Sequence, residues 1–185
     1  MPSGSDLVVL SGPAMVGLVR AVASLDEAGL GRHAVIGGVA VNARLGQAHR
    51  ATADVDTVVD ETTPPDAVEA LLALPGAQPD PTGRHRVRIH GTKVEVIGVG
   101  PIHEGDLNGI PTKDALFVAS HSWALDTATP LTVIAGYDCT VEATAPFATV
   151  APKEAREASW ISRRRPHRTY VSKTNGVRQE PARLG

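Results

Sequence analysis

The alternation of apolar and polar residues along the chain predicts short strands interleaved with helices. From Pro13 to Ala28 the apolar residues recur at helical spacing, and Gly29 and Gly31 follow as helix-ending residues. Further helices are predicted over residues 39–45, 63–74 and 114–127. The second is opened by Thr63 and the two prolines after it, and the third could alternatively have a β-like start. Strands are predicted at residues 6–10, 33–36, 54–60, 131–136 and 139–145, the first of which could equally be an extended lead-in.

A β-hairpin is predicted in the stretch RHRVRIHGTKVEVIGVG, residues 84–100, because apolar and polar residues alternate on both sides of HGT. Val87 and Ile89 are expected to share a face of the first arm. In the second arm, Val94 and Val96 are expected on one face. Lys93, Glu95 and Ile97 are expected together on the other face.

This order of elements predicts one α/β domain, a mixed sheet flanked by helices, over residues 1–155. The charge distribution supports a separate tail, because residues 1–150 carry a net charge of −8 and residues 151–185 a net charge of +6. Periodic apolar residues stop after Ile161. Residues 156–185 are therefore expected to be a basic tail, either disordered or a helical region that is truncated or replaced, for example through a frameshift.

The remaining composition excludes several classes of protein. No apolar run approaches the roughly 18 residues of a membrane span, and the first ten residues lack the basic start of a signal peptide. The single cysteine, Cys139, excludes an intrachain disulfide and is expected to be a buried structural thiol. We therefore expect a cytoplasmic protein without a membrane partner.

Two aspartates inside a β-type run are the main chemical signal. Asp54 and Asp56 project to one side of a strand, where their like charges repel unless a cation lies between them. Oxygen ligands at this spacing suit Mg²⁺, or Mn²⁺ in its place. Glu95 lies in another apolar strand and is the candidate third carboxylate. Alternatively, the two aspartates are acids of a turn or of a strand end. Glu95 could separately be an exposed residue of the hairpin face that pairs with Lys93 or Arg88.

Gly37 and Gly38 supply a second signal, because they lie between a predicted strand and a predicted helix. Glycines at this place allow the backbone to approach a phosphate, and the free N–H groups of the helix start favour an anion. A plain tight turn is the alternative. A phosphate-binding backbone near a Mg²⁺-binding pair of carboxylates is what phosphoryl or nucleotidyl transfer requires.

Together these residues resemble a known family. The run GGVAVNARLG…RATADVD and a later strand acid are similar to the DNA polymerase β-like nucleotidyltransferase superfamily, and within it to the AbiEii/MenT-type toxins of bacterial toxin–antitoxin systems. The quoted run covers about 25 residues, and the order of elements is similar from Val35 to about Lys153. The resemblance implies a minimal nucleotidyltransferase fold.

The resemblance also implies residue roles. Gly37 and Gly38 would hold the triphosphate, with Arg50 and Thr52 beside them in the nucleotide site. Asp54 and Asp56 would hold Mg²⁺, and Glu95 would be the third metal ligand or the base toward the acceptor hydroxyl. Lys153 would match a lysine that these toxins place on a later helix near the nucleotide. Arg50 and Lys153 could alternatively be solvated surface residues, and Thr52 an ordinary strand residue.

The implied reaction moves a nucleoside monophosphate from an NTP to an acceptor hydroxyl. The resemblance suggests tRNA as the acceptor, with a protein hydroxyl or a small molecule such as an aminoglycoside as alternatives. A cognate antitoxin would be the protein partner. These toxins carry a further acid after the lysine, whereas no Asp follows Asp138 here. The competing expectation is therefore a degenerate fold that binds nucleotide, RNA or a partner protein without turnover.

Overall fold

The computed structural model describes residues 7–46, 52–62, 65–100, 111–136 and 141–149. These residues form an α/β fold with a mixed sheet. The strands are β1 Leu7–Leu10, β2 His33–Ile36, β3 Asp54–Asp60, β4 Gln78–Pro79, β5 Arg86–Ile89, β6 Thr92–Val99, β7 Thr129–Ala135 and β8 Val141–Phe147. The helices are α1 Pro13–Glu27, α2 Gly37–Leu45, α3 Ala67–Leu72 and α4 Thr112–Thr127.

The sheet has the strand order β1-β7-β8-β2-β3-β6-β5-β4. Its centre is β3, which pairs antiparallel with β2 and parallel with β6. The hairpin of β5 and β6 turns at His90 and Gly91, whose φ angles of 50° and 79° suit a two-residue hairpin turn. This topology brings the end of β2 and the starts of β3 and β6 to the same part of the sheet.

Two apolar cores cover the two faces of the sheet, since alternate strand residues point to opposite sides. The larger core joins α1, α2 and α3 to side chains that include Val35, Val55 and Val94. The smaller core joins α4 to the other face through Ala34, Val58, Val99, Ala124 and Leu125. Asp54 and Asp56 alternate with Val55, so they lie on the same face as Val58 and α4.

Most predicted elements are confirmed, including the hairpin, β3, α1, α4 and the strands β2, β7 and β8. Residues 7–10 form a strand rather than an extended lead-in. The two-residue strand β4, which pairs with β5, was not predicted.

Two predicted helices have different bounds. Helix α2 begins at Gly37 rather than Val39, because Gly37 adopts a φ of +67° that lets the chain turn directly from β2 into the helix. Helix α3 spans Ala67–Leu72 rather than residues 63–74. Its start is fixed by Asp66, whose Oδ1 accepts hydrogen bonds from the N–H groups of Val68 and Glu69, both at 3.0 Å.

Several predictions lie outside the described residues. These are the predicted roles of Arg50, Cys139 and Lys153, the boundary between residues 155 and 156, and the basic tail. In the described part of the chain, no helix is both long and apolar enough to cross a membrane.

Candidate functional site

The acidic residues of β3 and β6 lie side by side on one face of the sheet. In the parallel pairing of the two strands, Asp54 is opposite Lys93 and Asp56 is opposite Glu95. Opposite residues of paired strands point to the same side. The starts of the two strands therefore carry a patch of charged side chains, which we call the charged half of this face. The apolar half, with Val58 and Val99, lies under α4.

Gly37 and Asp56 are in direct contact, so the glycine pair and the aspartate pair singled out in the sequence lie at one place in the fold. Ile36 pairs with Asp56 at the end of β2, and α2 begins at the next residue. The Asp56 carboxylate fills the space that a side chain at position 37 would need. Position 37 therefore requires glycine for two reasons: its φ angle is positive, and the Asp56 carboxylate leaves no room for a side chain. The start of α2 and the second aspartate form one local structure.

Asp54 is held by Lys93 and Thr52. The Nζ atom of Lys93 lies 2.8 Å from Asp54 Oδ2, and both side chains are about one-third exposed or less. The Thr52 hydroxyl donates to the Asp54 carbonyl oxygen at 3.2 Å, and it lies 3.5 Å from Asp54 Oδ1. The hydrogen bond that Asp54 accepts raises the pKa of Lys93 above its ordinary value. Lys93 is therefore a fixed cation at neutral pH.

Glu95 is held by two parallel hydrogen bonds from Arg86. Nε of Arg86 donates to Oε2 and Nη2 to Oε1, both at 3.1 Å. His85 Nε2 lies 3.4 Å from Oε1. The guanidinium group holds the pKa of the Glu95 carboxyl below its usual range. The charged partner on the hairpin face is therefore Arg86, and not Lys93 or Arg88 as the alternative interpretation expected.

A third ion pair continues this pattern on β5. Arg88 lies opposite Lys93, and its Nε is 2.8 Å from Oδ2 of Asp80, whose side chain is fully buried. The geometry is that of an ion pair rather than a directed hydrogen bond at that oxygen. Thr82 donates to the other oxygen, Oδ1, from its backbone N–H at 2.8 Å and from its hydroxyl. These hydrogen bonds lower the pKa of the Asp80 carboxyl.

The donor chemistry fits a divalent cation held by two carboxylates. Among the described residues, no group of three or more His, Cys, Asp or Glu side chains is placed to hold a metal ion. Asp54 and Asp56 nevertheless offer oxygen ligands on one strand face beside the start of α2. Mg²⁺ in proteins often has only one or two carboxylate ligands, with phosphate and water completing its shell. Because Arg86 holds both oxygens of Glu95, Glu95 as a third ligand stays a prediction.

The predicted site residues are thus partly assembled. Gly37, Gly38, Asp54 and Asp56 lie together where β2, α2 and β3 meet, with Thr52 bonded to Asp54 and Glu95 opposite Asp56.

Sequence reasoning missed the contacts made by Arg86 and Lys93. A two-residue turn at His90 and Gly91 places Arg86 opposite Glu95 by counting, so that contact could have been found. The contact between Lys93 and Asp54 depends on the register of β3 with β6, which are separated by more than thirty residues and give no such local signal.

Arg44, on α2, was also missed. It donates to the carbonyl oxygens of Thr129 at 3.0 Å and Ala148 at 3.2 Å, and to the Thr129 hydroxyl at 2.6 Å. These bonds fix α2, and with it the Gly37 turn, against the ends of β7 and β8.

A cavity of about 750 Å³ lies at the other end of β3, lined in part by Asp60, Glu61, Asp66 and Arg84. Two of its acids already serve local structure. Asp60 accepts two hydrogen bonds from Thr62, and Asp66 caps α3. Of the residues that line the cavity, His85 lies near the charged half, with its Nε2 3.4 Å from Oε1 of Glu95. The charged half, with its paired carboxylates and helix start, is therefore the better candidate site.

Comparisons of the chain with protein-family models, with curated proteins and with solved structures gave no match.

Proposed function

We propose that this protein is a Mg²⁺-dependent nucleotidyltransferase of the minimal fold, which moves a nucleoside monophosphate from an NTP to an acceptor hydroxyl. The observation that carries the proposal is the contact of Asp56 with Gly37. The first N–H groups of a helix favour an anion such as phosphate, and a carboxylate pair favours the cation that accompanies a triphosphate. Both features are in one local structure here.

The residues have distinct roles in the proposed reaction. The backbone N–H groups at Gly37 and Gly38 bind phosphate oxygens of the NTP. Asp54 and Asp56 would hold Mg²⁺, which would offset the charge of the triphosphate and help to orient it. Thr52 orients Asp54 through its hydroxyl group. The bond between the α-phosphorus and the bridging oxygen breaks, pyrophosphate leaves with the electron pair, and the acceptor oxygen bonds to phosphorus.

Glu95 fits a positioning role better than the role of general base. An effective base at neutral pH has a pKa near 7. Arg86 instead holds the pKa of Glu95 below its usual range. Under this proposal the proton of the acceptor hydroxyl passes to solvent water, and the pair of Glu95 and Arg86 orders the face beside Asp56.

The acceptor and the biological role rest on the sequence resemblance alone. We propose tRNA as the acceptor, growth inhibition as the role, the cytoplasm as the location and an antitoxin protein as the partner. Arg50 and Lys153 remain proposed nucleotide-site residues on the same basis.

Incubation with each α-³²P-labelled NTP, Mg²⁺ and total tRNA tests the proposal. Wild-type protein should transfer label to tRNA, and the Asp54→Ala/Asp56→Ala double variant should lose transfer by at least about a thousandfold. Asp60→Asn is the matched control, because Asp60 is on the same strand outside the charged half, and it should retain transfer. Transfer that survives in the double variant would refute the metal-site assignment.

The second candidate is a protein of this fold that binds nucleotide without turnover. One observation favours it: Lys93 and Arg86 already neutralise Asp54 and Glu95. In this case the wild type would bind an NTP with Mg²⁺ in calorimetry, yet label neither tRNA nor itself. Transfer of label to tRNA by the wild type, but not by the Asp54→Ala/Asp56→Ala variant, would exclude this candidate.

A further inference from the structure

Lys93 and Asp54 form a close ion pair in the charged half. Their strands are parallel neighbours, and the two residues are directly opposite each other. The ammonium nitrogen lies 2.8 Å from Asp54 Oδ2. Lys93 is therefore a cation held at an oxygen that the proposed function assigns to Mg²⁺.

Binding of the Lys93 ammonium group and a divalent cation to the same carboxylate oxygen at the same time is unfavourable. The ammonium group donates to the same lone pairs that a divalent cation needs, and two cations a few ångströms apart repel. Glu95 is not free to replace Asp54, because Arg86 occupies both of its oxygens at 3.1 Å. Cation binding at Asp54 and Asp56 therefore involves the loss of the contact with Lys93.

We propose that Lys93 is a built-in competitor for the divalent cation at Asp54, which sets the cation affinity of the site. The inference rests on the metal site of the proposed function and goes beyond it, since it assigns a role to a residue outside the resembled motif. With Lys93 on Asp54, the cation alone binds weakly. The ammonium group released from Asp54 then gains a phosphate oxygen as its partner when the nucleotide binds.

Arg88 offers a matched control. It lies opposite Lys93 on β5 and is also a cation on this face, but its partner is Asp80. Removing Arg88 deletes one positive charge at a similar place without freeing Asp54. A direct competition and a general change of charge are thereby distinguished.

The test is titration with Mn²⁺ alone, followed by electron paramagnetic resonance of the free ion, on protein shown to be folded by circular dichroism. Lys93→Met and Lys93→Gln should each bind Mn²⁺ about tenfold more tightly than the wild type. Lys93→Arg should bind Mn²⁺ about as weakly as the wild type does, and Arg88→Met should change the Mn²⁺ affinity by less than about threefold. Adding Asp54→Asn to Lys93→Met should abolish the gain.

Three results would overturn the inference: unchanged or weaker Mn²⁺ binding in both neutral Lys93 variants, an equal gain in Arg88→Met, or a gain that survives Asp54→Asn.

If the neutral variants do not fold, NMR of wild-type protein labelled with ¹⁵N at the lysine side chains tests the inference instead. Saturating Mg²⁺ should shift the Lys93 Nζ resonance, and bound Mg²⁺ without a shift would refute competition. If the neutral Lys93 variants bind Mn²⁺ more tightly but the wild type transfers no nucleotide, the proposed function is refuted and this inference stands.

Discussion

Strand β3 crosses two environments on the same face of one sheet. At its start, Asp54 and Asp56 lie among charged side chains of β5 and β6. Two residues further on, Val58 is fully buried against Ala124 and Leu125 of α4. The apolar half is stabilised by burial, whereas the charged half consists of ion pairs and the Gly37 contact. The difference separates residues that stabilise the fold by burial from residues held mainly by charge interactions with their neighbours.

The largest expected effect comes from moving a carboxylate into the apolar half. Val58→Asp should reduce the free energy of unfolding by at least about 3 kcal/mol, because the side chain at this position is fully buried among apolar groups. The converse change, Asp54→Val, should cost about 1 kcal/mol or less, since its ion pair is partly exposed. Urea denaturation of both variants measures the contrast. Equal losses would contradict the division into two halves.

A smaller effect is expected from Gly37→Ala. The alanine combines an unfavourable positive φ with a clash against the Asp56 carboxylate, so about 2–3 kcal/mol should be lost. Gly46→Ala is the control, because Gly46 has nearly the same φ of +66° but open space around it, and should cost about 1 kcal/mol. Adding Asp56→Ala to Gly37→Ala should recover part of the difference in thermal or urea denaturation. No recovery would mean that Asp56 does not crowd position 37.

The smallest effect concerns how the stabilisation by the Glu95–Arg86 ion pair depends on pH. Because Arg86 lowers the pKa of Glu95 in the folded protein, this contribution to stability is present above the unfolded pKa and is lost as the pH falls through the folded pKa. Glu95→Gln should therefore lose about 1 kcal/mol at pH 7 and progressively less in acid. Urea midpoints of both proteins from pH 7 to pH 3 provide the measurement. A constant difference across this range would contradict the ion-pair account.

Much of the fold follows from local sequence patterns. The two-residue turn and the alternation of Val87, Ile89, Val94 and Val96 determine the hairpin of β5 and β6, and all four side chains are buried. Helix α3 is shorter than predicted because the Asp66 cap fixes its start. Its end comes before Leu74, the residue that precedes Pro75, where the helical conformation is disfavoured.

The strand order could not be predicted locally. Strands β7 and β8 insert between β1 and β2 although they come last along the described chain. This arrangement depends on packing between distant segments rather than on local preference.

The candidate site shows the same limit. Spacing alone indicated that Asp54 and Asp56 share a face, and the glycine pair indicated a strand-to-helix turn. The contact of Gly37 with Asp56 requires the pairing of Ile36 with Asp56, and the contact of Lys93 with Asp54 requires the parallel pairing of β3 with β6. Both pairings are tertiary and have no signature in a short window of sequence.

The central claim is that the charged half, and not the cavity at the far end of β3, binds a divalent cation. The most direct test adds small amounts of Mn²⁺ to ¹⁵N-labelled protein and follows the paramagnetic broadening of backbone amides by NMR. We predict the strongest broadening at Gly37, at Asp54 to Asp56 and at Lys93 to Glu95, and its loss in the Asp54→Ala/Asp56→Ala variant. Broadening centred on Asp60, Glu61 and Asp66, or broadening unchanged in that variant, would contradict the account.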